Sequence, residues 1–336
     1  MLCSAPDFYP AFRCLAGTCP HTCCRDWEVV LDEETVRRYE ALGGEFGERL
    51  RRELKTNADG EVCFLPKDGR CPFLNEKNLC EIHLALGEEA TSVTCREHPR
   101  FTEDYGAFRE ITLSASCPAA NDLLFGSDAP LRFLSWEDDT PAEEGDEWLS
   151  WLLPFRNRVL ALLEDRALPL DARMGKSLAL CALAEDALAR GDEAALFALP
   201  QTPADELPAA DLPALTAREW TALQSLPVLD PDWRDLLEKA KTAPAEEAQA
   251  PLAERAAVYF AFRYLLKAVN DGALTSRARF CVFAVRVLRA LAPLCGMGEA
   301  LRRFSREIEH DAENLSAVEA LANAFFTRDP RDPCAQ

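Results

Sequence analysis

Eight cysteines in the first third of the chain carry its strongest chemical signal: Cys14, Cys19, Cys23, Cys24, Cys71, Cys80, Cys95 and Cys117. The first four read Cys-x4-Cys-x3-Cys-Cys, and the other four are spread over loops and short periodic segments. Thiolates are soft ligands, so thiols converging from several chain segments point to iron–sulfur or zinc ligation, with reactive thiols as the remaining reading. The x3 and x4 spacings let a loop or helical turn aim sulfurs inward, and Cys71, Cys80, Cys95 and Cys117 can close the other side. Adjacent Cys23 and Cys24 do not easily bind one ion together. Eight thiolates also exceed a four-ligand site, so either two sites exist or some cysteines are spare. The tight Cys-x2-Cys knuckles that zinc favours are absent. His21, His83 and His98 fall in the same region and could each replace a thiolate, although a lone histidine is more often a polar surface or core group.

Other chemistries lack their motifs. Cys19-x3-Cys23 is followed at once by Cys24, so the Cys-x3-Cys-x2-Cys run of radical enzymes is missing, as are a dinucleotide-binding glycine turn and a P-loop lysine. The 336 residues, 48% hydrophobic, are enough for two domains with a real core. Net charge is −20. Residues 1–126 hold 14 basic against 22 acidic side chains, and the remainder 23 against 35. Neither part is a basic patch, which argues against nucleic acid as a partner. An acidic surface attracts a lysine-bearing protein, or it serves solubility alone. The first twenty residues hold no apolar core of a signal peptide. The longest apolar run, Phe280 to Cys295, is broken by Arg286 and Arg289, so no membrane span is expected. A cytoplasmic location follows, where disulfides are disfavoured and the fourteen cysteines are thiols or ligands.

The elements that must position these residues fall into a mainly α fold. A small cysteine-rich metal-cluster domain with short strands, 1–126, precedes an acidic linker, 127–147, and a multi-helix domain, 148–336. Helical periodicity first appears from Asp32, a plausible N-cap, to Lys55. Strands are expected at Glu61–Leu65 and Phe108–Leu113. Helices are expected over 148–164, 172–190, 216–225, 231–241, 252–270, 275–293, 298–309 and 312–326, with the stretch from Pro200 to Pro213 linking helical pairs. Cys181, Cys281 and Cys295 lie on apolar helix faces, where burial explains them.

Several segments resemble a known family. They are Cys14…Cys19…Cys23-Cys24-x2-Trp27, Cys71-Pro72-Phe73-Leu74, Leu79-Cys80-Glu81-Ile82-His83, Cys95-Arg96-Glu97-His98-Pro99-Arg100 and Leu113-Ser114-Ala115-Ser116-Cys117-Pro118. Together they are similar to the zinc- or iron-chelating cysteine-cluster domain. Phe304-Ser305-Arg306-Glu307-Ile308-Glu309-His310 with Glu313-Asn314-Leu315, and Tyr259 to Ala268, narrow the resemblance to flagellin lysine-N-methylases, over nearly the whole chain. That resemblance implies S-adenosylmethionine-dependent methylation of flagellin lysines, and a 4Fe–4S cluster, with zinc as the alternative metal. Cys23 and Cys24 would then serve cofactor binding. The family usually has Phe before Pro-Arg where this chain has His98, read here as a neutral substitution.

Methyl transfer to lysine needs a neutral amine, although the free side chain has a pKa of about 10.4. Glu307, His310 and Asn314 are spaced to share one helical face and could orient the lysine or cofactor; a surface hydrogen-bond network is the plainer alternative. Arg263, on an otherwise apolar helix, would need an acidic partner, with Asp271 and Glu307 as candidates. These four are the candidate catalytic residues. A metal-binding interaction module without chemistry, and a thiol redox sensor using Cys23 and Cys24, are the rival functions.

Overall fold

The computed structural model describes residues 1–143, 145, 147–208, 212, 214–242 and 250–326. Its packing divides the chain into two units. One comprises Pro10–Phe101 with Cys117–Ala120, and the other Met1–Tyr9, Thr102–Ser116 and everything from Asn121 onward. The fold is mainly α, with short strands in the cysteine-rich unit.

The cysteine unit begins with an irregular loop that carries a 3-10 turn at Ala16–Thr18. Gly17 belongs there because a Cβ would lie 2.7 Å from the Lys77 carbonyl. A three-stranded antiparallel sheet follows, ordered β2 (Val29–Val30), β4 (Val62–Phe64), β3 (Leu54–Thr56). Between β2 and β3 the single helix expected over 32–55 is two, α1 (Glu33–Ala41) and α2 (Gly44–Glu53). The break falls at Gly43-Gly44, where Gly44 adopts φ +77°, open only to glycine at little cost. Asp32 caps α1 as expected, accepting from Thr35 N at 2.9 Å, and it also accepts from Val93 N at 3.0 Å. Short helices α3 (Glu81–Leu86) and α4 (Val93–Glu97) complete the unit. Its core is small: Val29, Leu31, Tyr39, Leu50, Phe64, Phe73, Ile82 and Ala90.

The second unit contains a four-stranded sheet ordered β5 (Arg100–Asp104), β6 (Phe108–Leu113), β1 (Leu2–Pro6), β7 (Phe133–Glu137). β1 runs parallel to β6 and antiparallel to β7. Residues 127–147, read as a linker, thus include a strand, while 144 and 146 lie outside the described residues. α5 (Pro118–Phe125) precedes β7, and the helical array follows it: α6 (Leu149–Leu163), α7 (Leu170–Arg190), α8 (Glu193–Ala198), α9 (Ala217–Ser225), α10 (Asp232–Ala240), α11 (Ala250–Tyr264), α12 (Leu274–Cys295), α13 (Met297–Phe304) and α14 (Ala312–Phe326). The stretch 200–213 lies partly outside the described residues.

These helices pack as their apolar stripes require, with Phe155, Phe260, Phe280, Phe283 and Phe304 fully buried. Cys181 and Cys281 are buried among them and Cys295 partly so. Buried carboxylates are matched by arginines: Glu110 with Arg156 at 2.6 Å, and Glu254 with Arg173 at 2.6 Å and Arg166 at 2.8 Å. Among the described residues, no helix is long and apolar enough to cross a membrane.

Candidate functional site

The cysteine unit folds its thiols around a hollow. Gly69, at φ +70°, tightens the turn that returns the chain to Cys24, and Cys71 N donates to Cys24 O at 3.0 Å. A bridge between Leu74 and Cys80 folds 71–80 back on itself, so Cys71 and Cys80 face the same space. Cys80 heads α3, its sulfur accepting from Ile82 N and His83 N. Ser92 caps α4 by accepting from Cys95 N at 3.2 Å, which fixes Cys95. The result is a cavity of about 60 Å³ lined by Cys23, Cys24, Cys71, Cys80 and Cys95, with His98, Trp27, Phe64 and Phe73 in its walls. His98, read from the sequence as a neutral substitution, therefore stands at the cavity.

Cys14, Cys19 and Cys117 do not line this cavity. Cys117 accepts from Ala119 N and Ala120 N, and the nearby charges of Cys19 and Cys14 help raise its pKa after burial has done so. Burial is also what pushes Cys71 up to about 12 and Cys95 up to about 11. Cys23 donates to Cys24, which favours the Cys24 thiolate and keeps the proton on Cys23. Buried thiols of raised pKa lose their protons when a cation takes their place, so thiol-rich sites couple metal uptake to proton release.

The donor set suits a soft metal, since thiols dominate the polar lining and no carboxylate lines the cavity among the described residues. Yet among those residues no three Cys, His, Asp or Glu side chains gather about one point as the ligands of a single ion do. The thiols surround a volume instead.

The helical unit holds a second polar cluster. After α13 the backbone makes a π-helical turn at Ser305–Glu309, and α14 begins only at Ala312. Wider turns of this kind rotate the side chains that follow and recur at functional sites. The shared helical face expected for Glu307, His310 and Asn314 is therefore split. Glu307 accepts from Leu229 N at 2.7 Å and Asp230 N at 3.1 Å, while Asn314 Nδ2 donates to Pro227 O at 3.0 Å and Glu307 O at 2.8 Å. Those two pin the segment 227–230. His310 Nε2 instead meets Ser114 Oγ at 2.7 Å and Ser116 Oγ at 2.9 Å. Ser114 Oγ is also 3.3 Å from Ser305 Oγ. His310 keeps an exposed edge, but the crowding around it, together with the charges of Arg263 and Arg306, lowers its pKa to about 4.

Arg263 pairs with neither expected acid. Asp271 is held by Arg277 at 2.8 Å, Glu307 faces the 227–230 backbone, and Arg263 Nε lies 2.9 Å from Glu309 Oε1. The π turn is what swings Glu309 inward. Tyr259 Oη donates to Glu309 at 3.1 Å and Tyr264 Oη at 2.9 Å, and Arg263 Nη1 donates to Thr112 Oγ1 at 3.3 Å. Ala115 N donates to Tyr259 Oη. This network ties the end of β6, and the Ser114–Ser116 turn beyond it, to α11. Burial raises the pKa of both tyrosines, with the charge of Glu309 adding to it.

Ser114, Ser116, Ser305 and Glu309 were not singled out as site residues from the sequence. Their signal was present, in the motifs Leu113-Ser114-Ala115-Ser116 and Ser305-Arg306-Glu307-Ile308-Glu309, but nothing local showed that these two stretches meet.

Comparison with known proteins locates the cysteine unit among relatives. Residues 13–117 match a family model described as "Putative zinc- or iron-chelating domain". The Flagellar biosynthetic protein FliU of Salmonella muenchen is 33% identical over 119 residues, which is 34% of this chain and 70% of FliU. The chain belongs to the flagellin lysine-N-methylase family. Two family members named Lysine-N-methylase, from Salmonella typhimurium and Salmonella choleraesuis, are each 33% identical over 119 residues, but the match spans only 30% of their length. The resemblance drawn over nearly the whole chain is thus carried, in these relatives, by about a third of it. No solved structure matches this family member significantly.

Proposed function

We propose that this chain is an S-adenosylmethionine-dependent N-methyltransferase acting on lysine side chains of flagellin, with a 4Fe–4S cluster in its cysteine unit. The observation that carries the reading is the five-cysteine cavity, formed within the segment matched by the chelating-domain model; relatives similar to this chain are named Lysine-N-methylase and flagellar biosynthetic protein. A hollow lined by thiols, rather than a point, suits a polynuclear centre better than one tetrahedral ion, with zinc the alternative. Cys24, Cys71, Cys80 and Cys95 would hold the cluster, and Cys23 and Cys24 are the cysteines proposed to serve cofactor binding. When bound, such a cluster supplies iron capable of Lewis-acid and electron-transfer chemistry.

The rest is the work of the chain's own side chains. The acidic surface draws in a lysine-bearing substrate. His310, neutral at pH 7 because its pKa is lowered to about 4, meets two serine hydroxyls through Nε2, and this imidazole–hydroxyl group is what would face the amine. A nitrogen of such low basicity does not keep a proton against water. The role of this group is to orient the amine by hydrogen bonding, and the amine's proton leaves to solvent. Arg263 acts one step further back as a positioning residue, holding Thr112 and Glu309, and through Tyr259 the Ser114–Ser116 turn. Glu307 and Asn314 support the π turn that aims His310.

A second reading, a metal-binding interaction protein without catalysis, is favoured by the short reach of the similarity to the methylases. The separating experiment uses anaerobically purified, metal-loaded full chain with methyl-labelled S-adenosylmethionine and flagellin. Label on flagellin lysines is the expected result. Loaded protein that neither takes up S-adenosylmethionine by calorimetry nor transfers label would overturn the methyltransferase in favour of the binding module.

A further inference from the structure

The four-stranded sheet has an edge with unused bonding capacity. β7 (Phe133–Glu137) is its last strand, paired on one side with β1 and on the other with nothing among the described residues. Register decides which backbone groups are left over. Asp7 N donates to Arg132 O at 2.8 Å and Asp138 N to Met1 O at 3.0 Å, one at each end of the antiparallel ladder. Bonded pairs in such a ladder recur at every second residue, so Leu134 and Trp136 turn their backbone groups toward β1. Phe133, Ser135 and Glu137 therefore aim their N–H and C=O groups outward, where no described residue receives them. Leu134, Ser135 and Glu137 are exposed, and β7 carries no proline or lysine, the usual guards of a free edge.

We propose that this edge takes up an extended, lysine-bearing segment of the protein substrate as an added strand. The inference rests on the methyltransferase reading and deepens it by naming where the substrate docks. Backbone pairing supplies the grip, as in other strand additions. Charge selects the occupant. Residues 127–147, which contain β7, hold eight acidic side chains against one basic. Asp138 is already taken by the Met1 ammonium and Arg109, which leaves the exposed Glu137 and Asp139 on either side of it to receive a cation. A second copy of this chain would instead set one acidic edge against another. The sheet also aims the guest at the polar cluster. β1 runs parallel to β6, with Ser4 beside Glu110, and Phe133 lies opposite Pro6. The Phe133 end of β7 is therefore the end at which β6 runs on into Ser114 and Ser116, the serines that meet His310. An added strand lies three strand spacings from β6, roughly 14 Å. About four extended residues span that distance, so the lysine that reaches the cluster is one about four residues beyond the docked strand.

The test reads pairing before catalysis. The metal-loaded full chain is titrated with a short synthetic peptide of alternating lysine and valine, and amide hydrogen exchange is followed residue by residue. The expected pattern alternates: Phe133, Ser135 and Glu137 exchange fast in the free protein and slowly with peptide bound, whereas Leu134 and Trp136 are slow throughout. The same peptide with alternate backbone nitrogens methylated, or with glutamate in place of lysine, should not bind. Ser135→Pro removes an outward N–H and leaves the β1 ladder intact, so it should weaken the peptide about tenfold at an unchanged melting midpoint. Glu137→Lys, which keeps the backbone and reverses the charge, should weaken it likewise. Phe133, Ser135 and Glu137 amides already protected without peptide overturn the proposal: protection that survives dilution means the chain covers its own edge, and protection lost on dilution means a second copy does. Equal binding of the methylated peptide overturns it too, as does flagellin labelling that Ser135→Pro leaves unaltered. Peptide that pairs with the edge while no label reaches flagellin would defeat the methyltransferase reading and leave the docking edge standing.

Discussion

Removing the charge of Glu309 is the sharpest test of how the helical unit is held. Its side chain is 0% exposed, that of Arg263 is 6% exposed, and their ion pair is 2.9 Å long. Glu309→Gln keeps the shape and an acceptor for Tyr259 and Tyr264, so it isolates the loss of charge. A guanidinium buried without its counter-charge costs about 3–5 kcal/mol when its partner is removed. For a unit of this size each kcal/mol moves the midpoint by roughly 2–4 °C, so the helical transition should fall by roughly 6–20 °C. Arg263→Met should destabilise similarly, because it strands the carboxylate. The double variant removes both charges and should cost less than the two singles together, by about 1–3 kcal/mol. Thermal unfolding followed by circular dichroism at 222 nm reads all four proteins. A Glu309→Gln midpoint within about 2 °C of wild type, or strictly additive singles, would refute the claim that this pair is a buried lock. In the proposed enzyme both singles should also lower kcat more than they raise KM, because the Ser114–Ser116 turn is positioned through this network.

Further expectations follow from the same geometry. His310 has its pKa lowered below the ordinary histidine value, so the unfolded chain binds its proton first; stability supplied by the neutral form is full above about pH 6.5 and is lost as pH falls toward 4, and His310→Gln should flatten that part of a stability–pH curve. Asp32→Ala removes the cap of α1 and the acceptor for Val93 N, which should cost about 1–2 kcal/mol in urea unfolding of the cysteine unit. Glu307→Ala frees Leu229 N and Asp230 N, so amide hydrogen exchange should rise at 227–230 and stability fall by about 1–3 kcal/mol. Stripping metal from loaded protein with a chelator should lower the melting midpoint of the cysteine unit and leave that of the helical unit unchanged, since a core of eight apolar side chains is too small to stand without its staples.

What the sequence made legible follows the range of each interaction. Local signals held: Asp32 capped α1, the alternation of Phe108–Leu113 became β6, and the apolar stripes of 148–164 and 275–293 became buried helices. Non-local pairing did not show. β1 reads as an unremarkable Leu-Cys-Ser-Ala-Pro run, and becomes a strand only because β6 and β7, over a hundred residues on in each case, lie on either side. The cysteines stood out by type and spacing, whereas which of them share a cavity depends on the turn at Gly69 and the Leu74–Cys80 bridge, which spacing alone does not reveal.

The partner expected for Arg263 was wrong in an instructive way. The i, i+3 spacing put Glu307 and His310 on one helical face, and Glu307 was, with Asp271, one of two acids named as a partner for Arg263. One π turn alters the assignment of every side chain after Phe304. It turns Glu309 inward to Arg263 and leaves Glu307 to the 227–230 backbone, and it is also what lets His310 reach the serines. Nothing in the helix propensities of Ser305–Glu309 announces that turn, because its wider hydrogen bonding is poor in isolation. It is compensated by contacts made elsewhere: two tyrosines and an arginine on Glu309, two backbone amides on Glu307, and the Asn314 side chain on the Glu307 carbonyl. A local geometry held against its own preference by so many distant groups carries a cost in stability. That cost is the physical reason to look for its chemistry at His310.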